Sequence, residues 1–335
     1  MPKISVVIPT YNSAATISQC LRALRGSSFK DYEIIVSDCG SQDNTAALAQ
    51  EYCDILLKHT ANPGRQQARL RGFQASCGTI LVNIDSDVII DHAMLGIVND
   101  FFTAHPEADA VTGLLSKENP FKNYFSQYKT LYMHYMFRRL PERITFLYGS
   151  IYAIRKDSMN FFETKIGVAD DTAFGQNLIV NNRKIFLLKN LEVIHLKKHS
   201  LLSFARNDFL IPFEWAHIFL SRNGWRQLGK NKTGFAHSSK AQLSSIIAAF
   251  LLCATIAMQT PGTVTCPRQA TLLLAAAWFI LNKDFAVFLK KEKGLLFGLS
   301  SLFVTFFDNM VMSLGIVCGA ADYVLKKIKS SFKKK

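Results

Sequence analysis

The sequence predicts an α/β domain with a mainly parallel mixed sheet, followed by a helical membrane region. Three observations carry that expectation. Short Val- and Ile-rich runs recur through the first 200 residues with helical stretches between them, the pattern of a sheet covered by helices on both faces. Polar clusters rich in Asp, Asn and Ser follow several of these runs, where the ligand crevice of such a sheet lies. The composition then shifts: residues 240–335 carry 12 basic against 4 acidic side chains amid long apolar stretches, whereas residues 1–239 carry 27 against 21.

Taken in order, "ISVVIP" (4–9) is the first strand and runs into Pro9, Thr10, Tyr11 and Asn12. "YEIIVS" (32–37) is the second and leads to Asp38, Cys39, Gly40, Ser41, Gln42 and Asp43. "DILLK" (54–58) is the third. "GRQQARLRGFQA" read as a helix puts Arg65 and Arg69 on one face, suited to a base or phosphate or else simply solvated, with Arg71 pointing elsewhere. "TILVNID" (79–85) is a strand that ends on Asp85, Ser86 and Asp87, and two carboxylates one residue apart require a compensating cation or hydrogen-bonding ligand. "ADAVTG" (108–113) follows. Each polar cluster taken singly also fits an ordinary turn or a capped helix start.

Seven cysteines without a C-x-x-C pair or a zinc-type grouping exclude a disulfide framework and structural zinc, and suit a reduced compartment. The start "MPKISVVIPTYN" lacks the succession of a signal peptide, so the first domain is expected in the cytosol. The net charge of +14 invites a nucleic-acid reading, but the excess lies in the apolar tail and no nucleic-acid motif accompanies it.

In order and spacing, "VVIPTYN", "VSDCGSQDNT" and "NPGRQQARLRGFQASCGTILVNIDSDV" resemble the nucleotide-sugar half of the family 2 glycosyltransferases, of GT-A fold, over residues 4–200. The resemblance implies a nucleotide-diphosphate sugar donor, a UDP- or GDP-sugar, with Pro9, Thr10, Tyr11, Asn12, Asp38, Gly40 and Ser41 about the nucleobase and ribose. Cys39 stands where the family more often has a second acidic or another polar residue. Asp85 and Ser86 would lie on the ribose side, and Asp87 would bind Mn²⁺ or Mg²⁺, which neutralises the leaving diphosphate. Gly149 and Ser150 in "LYGSIYAIRKD" would contact donor sugar and acceptor; a tight turn into a strand explains them equally.

"GVADDTAFGQNL" resembles the family's acidic pair at the head of a helix, with Asp170 in place of the usual Glu. An inverting transfer needs a carboxylate to take the acceptor's proton, and Asp171 is the expected base with Asp170 orienting it. The rival reading is a pair of helix N-terminal charges. His195, at the end of the run in "LEVIHLKKHS", would join Asp87 on the metal, imidazole being an acceptable ligand; His199 is less well placed.

Residues 241–260 hold no formal charge and suit a membrane-spanning helix. Residues 270–289 form a marginal second span, and 294–321 a third with Asp308 at its centre, an expensive position in lipid. Lys290, Lys291, Lys293 and six lysines in the last ten residues are expected on the cytosolic side. The expectation is a hairpin of the first two spans plus a re-entrant or in-plane segment broken near Asp308; four short spans is the alternative. The implied domains are 1–200 catalytic, 201–239 amphipathic interfacial helices and linker, and 240–335 membrane region, in a multi-pass protein of the cytoplasmic membrane with catalytic domain and basic tail in the cytosol. Aromatic and basic residues interleave in 119–146 and in 201–232, which includes Trp215 and Trp225, as in helices lying in the headgroup layer of anionic lipid.

The implied activity is metal-dependent inverting transfer to a hydroxyl of a glycolipid or lipid-linked saccharide. A polyprenyl-phosphate glycosyltransferase and a non-catalytic nucleotide-sugar-binding membrane protein are the alternatives. A processive synthase is disfavoured by the lack of a Q-x-x-R-W-type element after the acid pair.

Overall fold

A computed structural model describes residues 1–163, 169–222, 224, 239–259 and 268–332. Two compact units divide the chain, Met1–Lys198 and His199–Lys335. Gly167, the first residue of "GVADDTAFGQNL", and Trp225 lie outside the described residues.

The first unit holds β1 (Ile4–Thr10), α1 (Ile17–Arg25), β2 (Tyr32–Asp38), α2 (Thr45–Gln50), β3 (Ile55–Lys58), α3 (Arg65–Ala75), β4 (Ile80–Ile84), β5 (Val88–Ile90) and α4 (Met94–Ala104). It continues through β6 (Ala110–Leu115), α5 (Tyr124–Arg138), β7 (Arg143–Ile144), β8 (Ile151–Arg155), α6 (Asp170–Val180) and β9 (Ile185–His195). The strands form one sheet in the order β3-β2-β1-β4-β8-β6-β9-β5, with β7 beside β9. All seven residues of β1 are buried, as expected of a strand with both faces covered.

Strand direction decides where the chemistry can gather. β1, β2, β3 and β4 run parallel, β8 is antiparallel to both β4 and β6, β9 is parallel to β6, and β5 is antiparallel to β9. The C-terminal ends of β1, β2, β4 and β9 therefore share one edge with the beginnings of β8 and β5. Thr10, Asp38, Asp85, Asp87, Ser150 and His195 are all on that edge, although 185 residues of sequence separate the first from the last.

α5 corrects one expectation. Tyr128, Tyr132 and Phe137 are turned into the protein and not toward a headgroup layer: Tyr128 is fully buried, Phe137 nearly so, and Tyr128 stacks on Tyr124 and Tyr132. Tyr and Phe serve a protein core as readily as a membrane interface, so composition alone could not separate the two.

The second unit contains α7 (Leu201–Ser221), α8 (Lys240–Ala257), α9 (Arg268–Lys293) and α10 (Leu295–Phe332). Ser200 starts α7 with a capping box, its side chain accepting from the Ser203 N–H while Ser203 answers to the Ser200 N–H. α7 lies along α10, its Phe209 and Phe213 carbonyls against Gly315 and Gly319, where a Cβ would come within 2.4 and 2.3 Å of them. Small residues at this spacing let helix backbones approach closely. Within the bundle, the Asn282 and Asn309 side-chain amides both donate to Ser245 Oγ, at 2.7 and 2.5 Å, joining α8, α9 and α10.

α8, α9 and α10 are long and apolar enough to cross a membrane. The expected break near Asp308 is absent: α10 is one helix of 38 residues. Asp308 is fully buried, and so nearly are Thr305, Asn309 and Met312 on the same helix face. A carboxylate turned toward protein needs no break to escape lipid. Leu295, two residues after Lys293 at the end of α9, and Lys326 consequently lie about 46 Å apart along α10 at 1.5 Å per residue. An α10 that crosses a bilayer core of about 30 Å puts the two lysine clusters on opposite sides, which removes the basis for placing both in the cytosol.

Candidate active site

At the β1–β2 end of the edge, backbone and side chains knit two loops together. Pro9 lies opposite Ser37 in the sheet. The Thr10 carbonyl accepts from the Cys39 N–H at 2.8 Å. Buried Asp38 accepts from the Ser41 N–H at 3.1 Å and from the Ser41 hydroxyl. That hydroxyl in turn accepts from the Asn12 N–H at 2.9 Å, and Asn12 Oδ1 accepts from the Gln42 N–H at 2.8 Å. Gly40 makes the turn between Asp38 and Ser41 at φ 78°, and Tyr11 stands 44% exposed at the rim. Ser86 donates to Ser13 Oγ at 2.9 Å, which ties the Asp85–Asp87 loop to the same cluster. The three polar clusters of the sequence thus form one hydrogen-bonded assembly.

Arg69 is the centre of the next group. Its side chain is fully buried, with Nη2 on Asp85 Oδ1 at 2.8 Å and Nη1 on Asp170 Oδ2. Arg65, half exposed one turn earlier, reaches Asp170 Oδ1 at 2.9 Å. Burial opposes the charge of Asp170, and Arg69 and Arg65 overcome it, holding the carboxyl below the usual carboxylate range. The helical spacing of the two arginines was legible; their closure on acids of the protein was not. A guanidinium fork suits exactly such bridging of two carboxylates.

Asp171 heads α6 beside Asp170. Its Oδ2 accepts from the Gly149 N–H and its Oδ1 from the Thr172 N–H, both at 2.6 Å. Burial and then the neighbouring Asp170 charge push its carboxyl up to about 6. The 149–150 turn is shared between the two acid groups: the Gly149 carbonyl accepts from Asn83 at 2.7 Å and from Arg69 at 3.3 Å, and the Ser150 carbonyl from the Asp85 N–H at 3.3 Å. A Cβ on Gly149 would stand 2.9 Å from Asp171 Oδ2. Gly149→Ala is therefore expected to displace the Asp171 carboxylate and lower turnover at least tenfold, with the apparent Tm of the full chain changed by only a few degrees; steady-state assay and a thermal scan check both.

Asp87 and His195 are neighbours because β5 pairs antiparallel with β9, with Val88 opposite His195. His195 Nε2 is 3.2 Å from Asp87 Oδ1, and the Leu196 N–H donates to the Asp87 carbonyl at 2.6 Å. Desolvation opposes the charge on Asp87, but His195 and Lys197 hold its carboxyl below the usual range. Among the described residues no three His, Cys, Asp or Glu side chains gather as an ion site. One carboxylate and one imidazole side by side are nevertheless a donor set that fits Mn²⁺ or Mg²⁺ when substrate oxygens and water complete the shell.

Two residues of the site went unremarked in the sequence. Asn83, fully buried in β4, holds the Gly149 carbonyl; a lone amide inside "TILVNID" was the available signal. Tyr148 adjoins the turn, and burial pushes its phenol above the ordinary range, with Asp85, Asp171 and Asp87 adding to the effect. Nothing in its local sequence set it apart from the other tyrosines.

The sheet order and its acid-lined edge define a GT-A-type α/β domain. The same fold is found in the mannosyltransferase PcManGT from Pyrobaculum calidifontis, known in complex with GDP-Man and Mn²⁺, at a TM-score of 0.63 and 16% identity over 97% of this chain and 88% of that one. Residues 5–161 match the family model "Glycosyl transferase family 2", and the chain carries a glycosyltransferase domain of that family. Glycosyltransferase AglE of Haloferax volcanii is 35% identical over 94 residues, 26% of this chain and 31% of that protein. The GalNAc(5)-diNAcBac-PP-undecaprenol beta-1,3-glucosyltransferase of Campylobacter jejuni is 31% identical over 93 residues, 26% of this chain and 30% of that protein. The alignments thus span less than a third of either relative's own length.

Proposed function

We propose that the protein is an inverting glycosyltransferase that moves a sugar from a nucleotide-diphosphate sugar to a hydroxyl of a glycolipid or lipid-linked saccharide, with Mn²⁺ or Mg²⁺ as cofactor. The observation that carries this reading is Asp171, a carboxyl raised to about 6 and aimed by the Gly149 N–H, on the edge that also presents Asp85, Ser86 and Asp87. A general base works best with an affinity for protons near the working pH.

In this reading the donor's base and ribose lie at the Thr10–Asp38 end, and the sugar lies between Asp87 and Asp171. Asp171 takes the acceptor's proton while the acceptor oxygen bonds to C1 from the face opposite the diphosphate, and the C1–O bond to the diphosphate breaks with its electron pair leaving on the diphosphate oxygen. Asp170, ion-paired with Arg69 and Arg65, stays ionised beside Asp171 and orients this end of the site, and its charge lifts the proton affinity of Asp171. A bound divalent ion, held by Asp87 and His195, would supply positive charge to the departing diphosphate. A lipid-linked acceptor is supported by three helices able to cross a membrane and by the undecaprenol-linked substrate in the name of the C. jejuni relative.

Because only the ionised base accepts a proton, kcat/KM is expected to rise with pH through about 6 and then level, with no such limb in Asp171→Asn. The test of the whole reading is thermal stabilisation of the detergent-solubilised chain by UDP- and GDP-sugars with and without Mn²⁺, followed by transfer from the stabilising donor to extracted lipid-linked saccharides. Asp87→Ala is expected to abolish the metal dependence of that stabilisation. Unchanged Mn²⁺-dependent stabilisation in the variant would contradict the metal assignment.

A further inference from the structure

The arginines of this edge face its own acids. Arg69 is closed by Asp85 and Asp170, and Arg65 reaches Asp170. A diphosphate adds negative charge to an edge that already carries Asp38, Asp85, Asp87, Asp170 and Asp171, and one oxygen gains more as the glycosidic bond breaks. Cationic groups aimed at that developing charge lower the barrier most.

Lys197 is placed for this. The Leu196 N–H bond to the Asp87 carbonyl and the His195–Asp87 contact fix the exit of β9 against the Asp85–Asp87 loop. Lys197 is the next residue, and its side chain is exposed. Two residues of chain reach at most about 7 Å, so it stays beside Asp87. β9 lies across β4 from β1 and β2 in the strand order. Lys197 thus lies beside Asp87 and across β4 from the nucleobase clusters, where the reading above puts the sugar-bearing phosphate of a donor.

Building on the reading above, we infer that Lys197 is a leaving-group residue: its ammonium contacts the sugar-bearing phosphate of the donor and neutralises the charge that collects there as the C1–O bond breaks. It gives up no proton in doing so; the acceptor's proton goes to Asp171, and the electron pair of the broken bond stays on the diphosphate.

The test is calorimetric titration of the full detergent-solubilised chain, in Mn²⁺, with UDP, GDP, UMP and GMP. Lys197→Ala is expected to weaken the preferred nucleoside diphosphate about ten- to a hundredfold, the scale of a charge-assisted hydrogen bond, and its monophosphate less than about twofold. Lys197→Arg should stay within a few-fold of the parent, and Lys198→Ala should match it. Equal losses for diphosphate and monophosphate, no loss for either, or the same loss in Lys198→Ala would overturn the inference, because a general surface charge would then explain the data. If the parent chain binds none of the four nucleotides, the reading of the site fails with it, an outcome distinct from a parent that binds and a Lys197→Ala variant that binds equally well.

Discussion

Asp171→Asn is expected to lower turnover by about 10²- to 10⁴-fold, the usual worth of a positioned general base, while donor affinity changes little. The amide keeps the size of the side chain and can still accept from the Gly149 or Thr172 N–H, so the donor end of the edge has no reason to move. Parallel measurement of donor binding and of transfer separates the roles: binding kept and transfer lost places Asp171 at the acceptor. If transfer survives intact, the acceptor needs no base, as for a phosphate oxygen already ionised at neutral pH, and the hydroxyl reading falls. Loss of donor hydrolysis alongside transfer, with binding kept, also separates an enzyme from a protein that only binds the nucleotide sugar.

Arg69→Met is expected to be strongly destabilising. It leaves Asp170, with no exposed side-chain surface, and Asp85, 18% exposed, without the guanidinium that lies between them. Removing one partner from a buried ion pair costs about 3–5 kcal/mol, which lowers the apparent Tm of a domain this size by on the order of 10 °C. Thermal scans of the full chain read this directly. The added changes Asp85→Asn and Asp170→Asn are expected to restore much of the stability without restoring transfer, since they remove the uncompensated charges but not the need for them. A single variant as stable as the parent would show that Arg65 alone suffices for Asp170.

Much of this arrangement was open to a reading of residues, for identifiable reasons. β1, β2, β3, β4 and β6 are apolar runs bounded by polar clusters, and a parallel sheet converts that pattern into a crevice at the ends of its strands. β5 and β7, at 3 and 2 residues, are too short to leave a periodic signature. The contact of His195 with Asp87 depends on β5 turning back along β9, which no local pattern records. Arg69 meets Asp170 across 101 positions, so its helical spacing advertised a binding face while its partners stayed hidden. Asp308 misled for the opposite reason: a charge in an apolar run looks like an interruption until the packed face that shelters it is known.

The guanidinium joined to both Asp85 and Asp170 means that, in the proposed reading, the donor side and the acceptor side of the crevice are mechanically tied. Libraries aimed at a new donor should vary positions 69, 85 and 170 as a single block, because a replacement chosen for one end alone will be screened out by damage at the other. Stepwise drift through single codons would face the same obstacle, leaving paired replacement as the accessible route to a changed sugar.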